Sequence, residues 1–96
     1  LNYSIEWNCS AEPFITKEGG LTKVLQKVIE NKIKVKANLS TTGGTSDARF
    51  ISTHANETIE FGPLNSSAHK INENIKIDDL IKLEDIYYGV LCELLL

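Results

Sequence analysis

The residues best suited to chemistry fall in two short blocks. The first, Thr41-Thr42-Gly43-Gly44-Thr45-Ser46-Asp47, joins consecutive glycines to hydroxyls and is followed by Arg49. Glycine permits positive φ, so the N–H groups of such a loop can gather into a concave run that suits a carboxylate or phosphate oxygen, the more so if a helix starts directly after it. Arg49, in the first turn of that helix, would add a bidentate contact to the same anion. The same residues also read as a plain glycine turn with a helix cap and a surface arginine. The pattern is not a Walker loop, because no Lys follows the glycines and the spacing differs.

The second block is a polar loop, Gly62, Pro63, Asn65, Ser66 and Ser67, leading to His69 and then Lys70-Ile71-Asn72-Glu73. A lone His is more often a hydrogen-bonded surface residue than a metal ligand. A catalytic zinc site needs three protein ligands. The second histidine, His54, stands near the short helix, and no HxH, HExxH or CxxC spacing occurs. From its own residues the chain does not make a convincing metal site. Cys9 and Cys92 have no neighbouring His, and Ser46 with His69 and Asp47 is a triad only by residue type.

These blocks need elements to hold them. Leu1, Tyr3, Ile5, Trp7 and Cys9 alternate with polar residues, a period of two that predicts a half-buried strand ending before Pro13. After Gly19 and Gly20, the spacing of Leu21, Val24, Leu25, Val28 and Ile29 predicts a helix, with Lys23, Gln26, Lys27 and Glu30 on its outer face. Ile33, Val35 and Ala37 predict a short strand. Ser40 to Ser46 is a loop, and Asp47 to His54 a short helix capped by Thr45 or Ser46. Glu57 to Phe61 reads as a further strand. Asp78 or Asp79 would cap a last helix with a broad apolar face that includes Leu80, Leu83, Ile86, Val90 and Leu94. Helices alternating with strands argue for α/β layer packing.

Composition bounds the rest. The chain has 96 residues, a net charge of −3, 42% hydrophobic and 24% charged residues, which fits one small domain. The only arginine is Arg49 and the lysines form no cluster, so a nucleic-acid partner is not expected. No apolar run approaches the ~20 residues of a membrane span, and no membrane association or signal peptide is expected. The chain starts at Leu1 and contains no Met, which suggests a piece of a longer polypeptide. Sequons start at Asn8, Asn38, Asn56 and Asn65, but in an Asn-rich chain the short pattern arises by chance, and two cysteines are read as reduced cytosolic thiols.

TTGGTSDARFI, from Thr41 to Ile51, followed by EFGPLNSSAHKINE, from Glu60 to Glu73, resembles the C-terminal part of the succinyl-diaminopimelate desuccinylases, dinuclear-zinc amidohydrolases of the M20 metallopeptidase group. The order and separation of the blocks match, and WNCSAEPFIT and DDLIKLEDIYYGVLCELLL resemble the flanking segments. The resemblance implies that His69 is a zinc ligand, that Asn65 contacts substrate, and that Gly44 and Thr45 receive its carboxylate end. Ser46 and Arg49 lie in the matching motif and take binding or supporting roles. Ala48 stands where many relatives have Gly, a change a helix tolerates.

The resemblance also implies the chemistry: two zinc ions, with cobalt as a substitute, polarise a water and the scissile amide of N-succinyl-LL-2,6-diaminopimelate, and a carboxylate base moves the proton. The base and the remaining ligands would lie in an N-terminal part that this sequence lacks, so no catalytic residue is expected here and the chain alone would be inactive. Residues 1–13 would be the last strand of a lid or dimerisation domain with its return crossing, and residues 14–96 the C-terminal part of a zinc-peptidase-like α/β catalytic domain. The expected setting is a cytoplasmic homodimer in lysine biosynthesis. The alternatives are another M20 enzyme, such as an acetylornithine deacetylase or an aminoacyl carboxypeptidase, or a binding module that captures an anionic ligand without catalysis.

Overall fold

The computed structural model describes residues 2–96. Three helices occur in chain order: α1 (Gly20–Ile33), α2 (Ala48–Ile51) and α3 (Ile77–Leu95). Helix α1 forms where the apolar spacing predicts it. Its first turn has no cap from its own neighbourhood: Gly19 is extended and offers no side chain. The cap comes from Glu57, whose Oε2 accepts from the N–H groups of Leu21 at 3.0 Å and Thr22 at 3.4 Å. A carboxylate there satisfies orphan donors and faces the positive end of the helix. Gly19 makes room for it, since a Cβ at that position would stand 2.5 Å from Glu57 Oε1. At the other end Lys34 takes a left-handed conformation, φ 57°, and its N–H returns to Glu30 O, closing the helix as a C-terminal cap does.

Helix α3 packs on α1. Val28, Ile29 and Ile86 are buried between them, and Val24, Leu25, Ile33, Ala37, Phe61 and Val90 pack around this cluster. The helices approach closely at Gly89, where a Cβ would lie 2.8 Å from Val28 Cγ1. Lys27–Glu93 at 3.1 Å and Lys32–Asp85 at 3.3 Å bridge them at the surface, where such pairs contribute at most about 1 kcal/mol each. The sequence places Gln26 on the outer face of α1, but it is partly buried and its Nε2 donates to Ala37 O at 3.1 Å. It ties the chain leaving α1 back to the helix.

None of the segments expected to be strands pairs into a ladder among the described residues. Leu1, the first residue of the expected N-terminal strand, lies outside them. Tyr3, Ile5 and Trp7 are 79%, 62% and 92% exposed, so the alternating pattern finds no sheet to join. The residues around Ile33, Val35 and Ala37 divide differently, because α1 runs on through Ile33. Residues 57–61 are held without a ladder. Thr58 N–H donates to Thr16 Oγ1 at 3.3 Å, Thr16 Oγ1 donates to Thr58 O, Glu57 caps α1, and Tyr87 of α3 donates its hydroxyl to Phe61 O. The Phe61 and Tyr87 rings lie 6.1 Å apart.

The result is open. The radius of gyration is 17.0 Å, against about 12.5 Å for a compact chain of this length. The accessible surface is 8592 Å², against about 5,500 Å² for a folded monomer of this mass. Most of the apolar face of α3 contributes to that excess: Leu80, Ile81, Tyr88, Leu91 and Leu95 are all exposed, and only Ile86 is buried.

Candidate functional site

The glycine loop and residues 58–61 line one cleft of about 800 Å³. Leu25, Gln26 and Ile29 of α1 line it together with Gly43, Gly44, Thr45, Ser46 and Arg49 and with Thr58 to Phe61. Apolar residues with a few polar groups among them are the usual build of a small-molecule site.

The helix expected over Asp47 to His54 shortens to the four residues of α2, followed by a turn through His54. Four residues sum to a weak dipole, and neither Gly43 nor Gly44 takes the positive φ expected of them, so the concave run of amides does not form and Arg49 is the loop's remaining candidate for an anion contact. The N-cap position falls on Asp47, which makes no side-chain cap, and not on Thr45 or Ser46; Ser46 Oγ, one residue earlier, accepts from Ala48 N–H at 3.1 Å. The same hydroxyl donates to the carboxylate of Glu60. Ser46 is thereby committed on both sides and acts here as a positioning residue for Glu60. Arg49 lies over the Phe50 ring at 4.7 Å and its Nη1 donates to Thr45 Oγ1 at 3.4 Å. Its Nε is buried with no partner, an unsatisfied donor of a kind that folded proteins rarely leave. Gly44 has open space where a Cβ would project, so the loop leaves its backbone approachable there.

Four of the six residues expected to form the site, Gly44, Thr45, Ser46 and Arg49, are brought together at this cleft. Asn65 and His69 are not among its lining residues. They belong to a self-contained turn in which Ala68 N–H donates to Asn65 O, Lys70 N–H to Ser67 O, and Ser67 Oγ exchanges hydrogen bonds with the backbone of Asn74. His69 is exposed and holds φ at 60°. A non-glycine residue in the left-handed region is uncommon, though His is enriched there, and such strain concentrates at functional positions.

A family model for peptidase family M20/M25/M40 matches residues 2–93. The chain belongs to this family. M20 membership places it among hydrolases that are typically metal-dependent. The described residues alone do not fit a metal centre, since no three His, Cys, Asp or Glu side chains are grouped to hold an ion. Neither His69 nor His54 has a second such side chain grouped with it in a set of three, and no step of the M20 reaction is derived from these residues. Cys9 and Cys92 are free thiols, and no described helix is long and apolar enough to cross a membrane.

Two carboxylates with defined partners were not singled out in the sequence: Glu60, which lines the cleft, and Glu57, which caps α1 beside it. Glu57 and Glu60 lie on a segment that reads as a plain strand, and a carboxylate on an alternating strand normally marks its solvent side. Their roles depend on partners 36 and 14 residues away, a separation that no local pattern records.

Proposed function

We propose that the chain is the C-terminal part of an M20 amidohydrolase that cleaves N-succinyl-LL-2,6-diaminopimelate to succinate and LL-diaminopimelate. The supporting observation is the meeting of the two blocks that carry the desuccinylase resemblance. Ser46 of the first block holds Glu60 of the second at the rim of one cleft, beside Gly44, Thr45 and Arg49. Arg49, which joins no ion pair among the described residues, suits a substrate carboxylate.

On this reading His69 supplies one ligand to a zinc centre whose other ligands and catalytic base come from outside these residues, and Asn65 reaches the substrate from the same turn. The exposed apolar faces of α3 and of Tyr3, Ile5 and Trp7 are then surfaces that the rest of an α/β catalytic domain and a lid domain cover, the latter within a cytoplasmic homodimer.

The test uses the polypeptide that carries these residues. Steady-state turnover should favour N-succinyl-LL-2,6-diaminopimelate over N-acetylornithine by at least about 100-fold in kcat/KM. A reversed preference would assign the chain to an M20 deacylase of different specificity. Binding of dicarboxylates with no turnover of any acylated amino acid would leave the non-catalytic module.

A further inference from the structure

We propose that Glu60 receives an ammonium group while Arg49 receives a carboxylate, so that the head held in the cleft is that of a zwitterionic α-amino acid. This deepens the desuccinylase reading, because that substrate keeps one α-amino acid end free.

Arg49 and Glu60 line the same cleft with opposite charge, yet they do not neutralise each other. Among the described residues the ion pairs are Lys27–Glu93 and Lys32–Asp85, both between α1 and α3. Arg49 spends one N–H on the neutral hydroxyl of Thr45 and leaves Nε buried without a partner. Glu60 accepts from the neutral hydroxyl of Ser46. The direction of that bond is fixed, because the Glu60 carboxylate can only accept and the Ser46 hydroxyl has a proton to give. Glu60 is exposed, and its Oε2 stands beside Gly43, 3.7 Å from where a Cβ of that residue would lie.

A site with one free charge of each sign discriminates. A simple anion drawn to Arg49 meets the Glu60 carboxylate, and a simple cation drawn to Glu60 meets the guanidinium. Only a ligand carrying both charges satisfies both groups.

The experiment compares wild type, Glu60→Gln and Ser46→Ala of the polypeptide that carries the chain on two substrates: N-succinyl-LL-2,6-diaminopimelate and N-succinyl-2-aminopimelate, which lacks the distal amine. Gln keeps the size of Glu60 and an acceptor for Ser46 but loses the charge. Glu60→Gln should raise KM for the amine-bearing substrate about 10- to 100-fold, the range for a hydrogen bond to a charged group, and leave KM for the other within about twofold. Ser46→Ala should raise the same KM by a smaller factor, since it only frees Glu60 to move. An equal rise for both substrates, or no rise for either, overturns the assignment. If wild type hydrolyses neither substrate, the desuccinylase reading fails and calorimetry decides this one separately. LL-diaminopimelate binding tighter than pimelate to wild type but not to Glu60→Gln supports it, and no difference in wild type overturns it.

Discussion

Replacing Gly89 by alanine sets two known effects against each other. In the interior of a helix, alanine is favoured over glycine by about 1 kcal/mol, so α3 alone would gain. Against α1 the new Cβ would stand 2.8 Å from Val28 Cγ1 and 3.5 Å from Lys32 Cε. The lysine can swing away. Val28 cannot, because it is 4% exposed and packed with Ile29 and Ile86. Forcing a methyl into such a contact costs about 1–3 kcal/mol, so Gly89→Ala should destabilise by about 0–2 kcal/mol despite its helix propensity. The same change in a Val28→Ala background, where the opposing methyls are gone, should stabilise by about 1 kcal/mol. Urea unfolding of wild type, both single variants and the double variant gives the coupling energy, expected at about 1–3 kcal/mol. A coupling within about 0.5 kcal/mol of zero would mean that α1 and α3 do not approach each other at Gly89, and the close-packing argument would fall.

Two further perturbations act on the caps and turns. Gly19→Ala should push the Glu57 carboxylate off the start of α1, costing about 1 kcal/mol and speeding hydrogen exchange at the Leu21 and Thr22 amides; the same substitution in a Glu57→Ala background should cost nothing more, and an undiminished cost would show that Glu57 is not the cap. His69→Gly should leave stability unchanged or slightly raised, because glycine holds φ near 60° without the left-handed penalty of about 1–2 kcal/mol, while on the proposed reading the metal content of the polypeptide that carries the chain drops by one equivalent; full metal content by elemental analysis would remove His69 from the ligand set.

The helices were legible because their apolar residues repeat at a period that one chain can satisfy by itself. Leu21 to Ile29 specify α1 and the burial of Val28 and Ile29 with little outside help. In α3 the pattern predicts a broad buried face, but most of that face is exposed and only Ile86 is enclosed. A pattern states what a surface prefers, not what is present to cover it. The alternation from Tyr3 to Cys9 has the same character, since a strand forms only against a partner. The glycine loop was legible as a loop from Gly43 and Gly44, but not its conformation, since neither residue takes the positive φ that glycine permits. Glu57 and Glu60 were not, because a carboxylate shows its role only when a distant helix terminus or hydroxyl arrives beside it. Thr22, 2% exposed, was missed for a related reason: its polarity suggests solvent, and its place at the first turn of α1 encloses it.

The hydrogen bonds of Thr16 and Glu57 to residues some forty positions away fasten both ends of a long excursion that carries α1 and the glycine loop. Closing a loop costs entropy that rises only logarithmically with its length, by about 0.6 kcal/mol per doubling. The connection between Asn38 and Thr42 is exposed, so residues can be added or removed there while both fastenings and the α1–α3 contact stay intact. The rim of the cleft is therefore a part of this chain whose length can drift cheaply, and the size of the cleft can change by insertion there without repacking the helices beneath.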